Sequence, residues 1–227
     1  MKNKILKLLL LILLFTSTVC AARSVYLIDD FEDGEIERTP EWWDFGLIET
    51  SLVENNKEEA SYLEQTSLGL KGNPSEWYVG GIGTYLGIDT SPYNAIKLVV
   101  RGKGIESGFL RIELYDDDNN NWVVEVHEQD QSLVEFDDKF VYSQKVDWAG
   151  WKVLIIPFSY FVDDNPDMGD NVFNPVQTGT SGGLLQMQLI LLATNKEVVP
   201  DIRIDTFKLF YYVKPKPQKA TYSDDDW

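Results

Sequence analysis

After residue 24 no stretch of this chain sustains an apolar repeat at the helical period for long enough to build a helix, which limits the fold more than any other feature. Short runs rich in Val, Ile, Leu and aromatic residues are instead closed by Gly, Asn, Asp or Pro, the pattern of strands separated by turns. Eleven segments qualify, at 25–31, 42–53, 61–70, 77–89, 95–101, 108–115, 122–127, 139–147, 151–157, 184–193 and 202–212. That many strands in one unit predict an all-β fold, a two-sheet antiparallel jelly-roll sandwich. The runs IKLVVRG and LLQMQLILLA are apolar enough for central strands. FLRIELYDDD alternates, with Leu110, Ile112 and Leu114 on the core side and Arg111, Glu113 and Tyr115 on the other.

The chain opens with Lys2, Lys4 and Lys7 before an apolar run and the small residues of a cleavage site at Val19 and Ala21, the layout of a secretory signal peptide over 1–21. The run is too short to span a bilayer, so the mature chain is expected to carry no transmembrane segment and to be exported to a periplasm, a cell surface or the medium. Lipidation at Cys20 is the less favoured alternative, because that chemistry prefers a small residue where Val19 stands. The sandwich is expected over 22–213. The end, 214–227, alternates Pro with Lys before an acidic stretch and reads as an extended tail.

A formal charge of −17, more negative still once three leader lysines are removed, repels phosphate backbones and excludes nucleic acid as a natural partner. Catalytic signatures are scarce. His127 is the one histidine and Cys20 the one cysteine, so neither a His-based nor a Cys-based zinc cluster can form. No serine sits in a G-x-S-x-G elbow, and YVGGIGTY lacks the Lys-Ser/Thr ending of a phosphate loop, so its glycines are expected to let a neighbour approach the strand. Paired carboxylates carry no information among 37 acidic residues. The expectation is a protein that is not an enzyme.

Two acidic stretches approach the calcium-loop pattern and fail it. In the first, Asp116, Asp118 and Asn120 alternate correctly, but Asn121 takes the glycine position and His127 that of the closing Glu. The second has Asp163, Asn165 and Asp167, then Met168 where glycine is needed and Asn174 at the close. They read as a hairpin turn and a surface loop. The stretch LIDDFEDG, at 27–34, sets four carboxylates around Phe31. It is either a solvated edge strand running into the turn at Asp33-Gly34, or a set of oxygens held for a cation.

Paired through the DDDNNN turn, strands 108–115 and 122–127 would display Arg111, Glu113, Tyr115, Glu125 and His127 together, with Tyr85 as a further partner. These six are the candidate ligand-binding residues. An outer sheet face open to water has the same polar composition, so alternation by itself leaves both readings standing.

The order of five motifs is more telling: DDFEDG, EWWDFG, GIDTSPYNAIKLVVRGKG, DWAGWKVLIIPFSYF and DIRIDTFKLFYY. Their succession resembles the galactose-binding-like β-sandwiches that include family 11 carbohydrate-binding modules and the complex I intermediate-associated protein 30 domain. The most specific parts are the opening Asp-Phe-Glu, the block Trp151, Pro157, Phe158, Ser159 and Phe161, and Asp205. The resemblance implies a structural Ca²⁺ tying the first strand to the last, with Asp30, Glu32 and Asp205 as its carboxylates and Phe31 in the core. It also implies a secreted, non-catalytic module that holds a polysaccharide or glycan on a concave, ring-lined face. The expected departure is that no catalytic module accompanies it. The alternative is a structural or assembly part with protein partners, since the final strand is also distantly similar to that of spirochaete flagellar sheath proteins of the FlaA type.

Overall fold

The computed structural model describes residues 24–215, apart from 39, 57, 59–62, 73–77 and the side chains of 131–133. The expected signal peptide, Cys20 and the tail from residue 216 lie outside the described residues, and so do the first two positions of the segment expected at 61–70. No helix among the described residues is long and apolar enough to cross a membrane.

The strands follow one another as β1 (Val25–Asp29), β2 (Trp42–Gly46), β3 (Ile48–Glu54), β4 (Thr66–Gly72), β5 (Tyr78–Ile88), β6 (Ala95–Lys103), β7 (Phe109–Asp116), β8 (Glu125–His127), β9 (Asp130–Glu135), β10 (Asp138–Lys145), β11 (Ala149–Pro157), β12 (Val162–Asp163), β13 (Leu184–Leu192) and β14 (Asp201–Phe210). They form two six-stranded sheets and a two-stranded ribbon, β8-β9. The back sheet runs β11-β6-β14-β4-β3, with β1 also on β14, and the front sheet runs β12-β10-β7-β13-β5-β2. All pairings are antiparallel, and the chain crosses repeatedly between sheets, as the jelly-roll expectation requires.

The core lies between the two inner faces. Leu110, Ile112 and Leu114 of β7 and Met187, Leu189 and Leu191 of β13 meet Ile96, Leu98 and Val100 of β6, all fully buried. In β14 the inward set changes parity midway, from Ile202 and Ile204 to Phe207 and Leu209. A one-residue bulge explains it. The register with β6 slips between Asp205 and Lys208, and Thr206 takes a left-handed φ of 43°. The same point divides the strand's other flank, where β4 pairs with Asp201–Ile204 and β1 with Phe207–Phe210, end to end along β14.

Three expectations change. The first strand stops at Asp29, because Phe31 turns left-handed (φ 60°) with its amide held by Asp29 Oδ1 at 2.7 Å; alternation therefore does not carry through LIDDFEDG. Phe31 is nonetheless fully buried, against Trp42. The segment 42–53 divides at Gly46 (φ 76°) into β2 of the front sheet and β3 of the back sheet. The segment 122–127 does not pair with β7: β7 lies between β10 and β13, and only Glu125–His127 is strand, paired with β9. The turn fails as a tight hairpin because Asn120 and Trp122 are left-handed and Asp117 ties down the amides of Asn121 and Trp122, so the chain is led away from the sheet.

Candidate functional site

On the outer face of the front sheet lies a groove of about 710 Å³. Its floor follows from register: Arg111 pairs across to Ile190, Glu113 to Gln188 and Tyr115 to Gln186, all pointing away from the core. On the far side β5 contributes Gly81 and Gly83, where side chains would obstruct it. A Cβ on Gly83 would stand 2.5 Å from the Trp43 ring, and one on Gly81 would stand 2.9 Å from Phe45 Cζ. The glycines let these two rings of β2 lie across the strand. Trp43 (38 % exposed) and Tyr78 (40 %) give the groove accessible ring surface.

The polar side is fixed before any ligand arrives. Arg111 Nε donates to Glu113 Oε1 at 2.6 Å, and Arg111 Nη2 to Asp164 Oδ2 at 2.7 Å. The Tyr115 hydroxyl donates to Glu113 Oε2 at 2.8 Å, and Lys139 Nζ approaches Asp164 Oδ2 at 2.9 Å. Burial, then the Glu113 charge, raises the Tyr115 phenol well above its usual range, so it remains a donor. Arg111 is raised as well: its burial opposes the charge, and Glu113 and Asp164 more than compensate.

The six candidate residues separate into two sets. Arg111, Glu113 and Tyr115 stand together in the groove. Tyr85 is opposite Gln186 in β5, and its hydroxyl donates to the Trp122 carbonyl at 3.2 Å, away from the groove lining. Glu125 accepts from Asn119 and Asn121, and His127 Nε2 lies 4.0 Å from Glu135, both in the β8-β9 ribbon. That ribbon sends Val126 and Val134 to the groove instead. Trp43 and Phe45 were legible in EWWDFG, because period two puts both on the face opposite Trp42. Asp164, from a loop, carried no such signal.

The three candidate metal ligands also part. Asp205, fully buried, accepts from Asn55 Nδ2 (2.8 Å), the Glu64 amide (3.2 Å) and Thr206 Oγ1 (2.7 Å). Its pKa is raised by burial and then by the charges of Glu64 and Glu32. Glu32 Oε1 accepts the Thr66 amide at 2.6 Å. Together they fasten the joint where β1 ends and β4 begins. Asp30 Oδ1 accepts the Glu32 amide at 3.3 Å and lines a separate shallow groove with Tyr26 and Leu86. Asp30, Glu32 and Asp205 are not among the carboxylate trios whose oxygens lie within 4.8 Å of one another. An acceptor is left over at the joint, since Asn55 Oδ1 is buried without a partner. That orphan beside two carboxylates suits a hard cation.

No protein-family model and no curated protein matches the chain. Its fold is that of family 11 carbohydrate-binding modules. The module of the cellulosomal cellulase Lic26A-Cel5E of Clostridium thermocellum superposes with a TM-score of 0.53 at 17% identity, over 86% of this chain and 98% of the other. The family 11 module from Clostridium thermocellum in complex with a β-1,3-1,4-mixed-linked tetrasaccharide superposes with a TM-score of 0.51 at 18% identity, over 84% and 98%.

Proposed function

We propose that this chain is an exported, non-catalytic module that binds a polysaccharide in the front-sheet groove. One observation carries the reading: the groove sets open ring surface at Trp43 and Tyr78 against the fixed Arg111–Glu113 pair and the amide of Gln188. Sugars need both, since their C–H faces pack on rings while their hydroxyls seek planar hydrogen-bonding groups at the edge. The shared fold supports it, because the solved structures described above are carbohydrate-binding modules, one with a β-1,3-1,4-mixed-linked tetrasaccharide.

Affinity electrophoresis through gels containing mixed-linkage β-glucan, xylan or galactan tests the reading. Retardation on at least one polysaccharide, lost in Trp43→Ala and Tyr78→Ala at unchanged melting temperature, is expected. No retardation on any of them, or variants retarded like the parent, would overturn it.

At the joint, Glu32 and Asp205, with Asn55 Oδ1, would hold a structural Ca²⁺, and the ion would supply positive charge to two carboxylates that no described lysine or arginine pairs. Asp30 is expected outside this shell. Melting in calcium and in chelator, with Asp205→Asn beside the parent, checks it.

A protein-assembly role is the second reading, supported by exposed apolar residues on the sheet edges: Val153 and Ile155 on β11, and Val25 and Leu27 on β1.

A further inference from the structure

The two acidic stretches that fail as calcium loops singly lie against each other in the fold. Strand β7 ends at Asp116, directly opposite Asp138 at the start of β10, and the loop after β12 folds over both. One carboxylate oxygen each from Asp118, Asp138 and Asp170 lies within 4.8 Å of the other two.

Acidic clusters are common without an ion, so a second observation matters more. Asp138 is fully buried, and its Oδ1 has no hydrogen-bond partner. That oxygen points into the cluster: a Cβ on Gly169 would run into both Asp138 Oδ1 and Asp118 Oδ2. Gly169 has a φ of +61° and no side chain, so its backbone can come beside the two oxygens without filling the space between them. The remaining oxygens are already oriented. Asp118 Oδ2 accepts the Asp138 amide at 2.8 Å, Asp138 Oδ2 accepts that of Val172 at 3.1 Å, and Asp170 Oδ1 accepts the same Val172 amide at 2.8 Å. Asp116, also buried, stands beside the cluster, and its Oδ2 accepts the Asn174 amide at 2.8 Å. No ion pair with a described lysine or arginine reaches any of these four acids. A buried carboxylate with a free oxygen, beside further carboxylates and without a cationic side chain, is relieved either by a proton or by a bound cation.

We propose that Asp118, Asp138 and Asp170 hold a calcium ion at the loop end of the front sheet, at a place separate from the Glu32–Asp205 joint. The donors are all oxygens, which selects a hard cation, and three side chains from two loops and a strand end form a flexible shell that suits Ca²⁺ better than the strict octahedron of Mg²⁺. Exposed Asp170 leaves room for water to complete the coordination. The ion also reaches the groove indirectly: Asp164, the partner of Arg111 and Lys139, belongs to the loop that carries Asp170, and Lys139 follows Asp138. Calcium here therefore sets one wall of the proposed sugar site.

Calorimetric titration of the chelator-stripped protein with CaCl₂, and separately with MgCl₂, tests the site without any sugar. The parent is expected to bind calcium more tightly than magnesium. Asp170→Asn, an exposed change that leaves the core intact, should weaken one calcium event about tenfold or more. Asp138→Asn should abolish that event, while Asp205→Asn leaves it in place. Calcium binding by Asp138→Asn and Asp170→Asn with the parent's stoichiometry and affinity would overturn the proposal. So would a melting temperature raised equally by Asp138→Asn in calcium and in chelator, the behaviour of a cluster neutralised by a proton. A failed sugar assay leaves these results standing, so the two readings fail separately.

Discussion

At the scale of single residues, the most informative group is Glu113, only 6% exposed and satisfied by Arg111 on one oxygen and Tyr115 on the other. Tyr115→Phe removes one donor from a buried carboxylate and fills nearly the same volume, so it should cost about 1–3 kcal/mol in urea unfolding. A loss within error would show that water replaces the hydroxyl. The acids of the loop end give a signed pH effect. Burial, then neighbouring acids, raises Asp116 to about 8 and Asp138 to about 7; Asp137 is raised to about 7 by burial and then by Glu125 and Asp117. Their folded values lie above the unfolded ones, so in chelator the native state binds more protons than the unfolded state between about pH 4 and about pH 8. The stability they confer is complete at the acid end and disappears as pH rises through their folded values. The urea midpoint in chelator should therefore be lower at about pH 9 than at about pH 5, and calcium should narrow the difference. Alternation in β7 identified Arg111, Glu113 and Tyr115 from the sequence, because a strand's period does not depend on its neighbours. The environment of Asp138 was not legible, since the orphaned oxygen exists only once two distant loops meet.

At the scale of elements, the bulge in β14 decides which residues enter the core. Inserting one alanine between Thr206 and Phe207 would add a second extra residue, shift the parity of the rest of the strand by one and turn Phe207 and Leu209 outward. Loss of cooperative thermal unfolding and of near-ultraviolet dichroism is expected; a native spectrum would mean that the strand finds its register elsewhere. Gly83→Ala tests the opposite face. The added Cβ must push the Trp43 ring off the strand, so indole emission should shift and polysaccharide retardation should fall, with the fold retained. Central strands such as β6 and β13 were readable as apolar runs. The ribbon β8-β9 was not, because an acidic, asparagine-rich stretch looks like a tight turn until the hydrogen bonds of Asp117 show the chain being led away from β7.

At the scale of the molecule, two sheets share one apolar interior while the charge remains outside, at the loop end and at the joint. With a formal charge of −17, self-repulsion opposes compaction, so in chelator the melting temperature should rise between about 20 mM and about 500 mM NaCl and should rise less when calcium is present. A melting temperature that falls with salt would indicate that attractive pairs dominate. The sandwich was legible because the turn residues recur at regular intervals. The partition of strands between its sheets was not, since Gly46 moves the chain from one layer to the other within a segment that reads as one strand.

The placement of β1 on β14 has a mechanical consequence. Val25 is opposite Phe210, and the Tyr211 amide donates to the Ser24 carbonyl at 3.3 Å, so the chain enters and leaves the sandwich at one corner. Tension applied through residues 24 and 211 would load that pair first and open the seam one rung at a time, as a zipper opens, instead of shearing all its rungs together. Under such a load β1 should peel away at low force while the remaining layers stay folded.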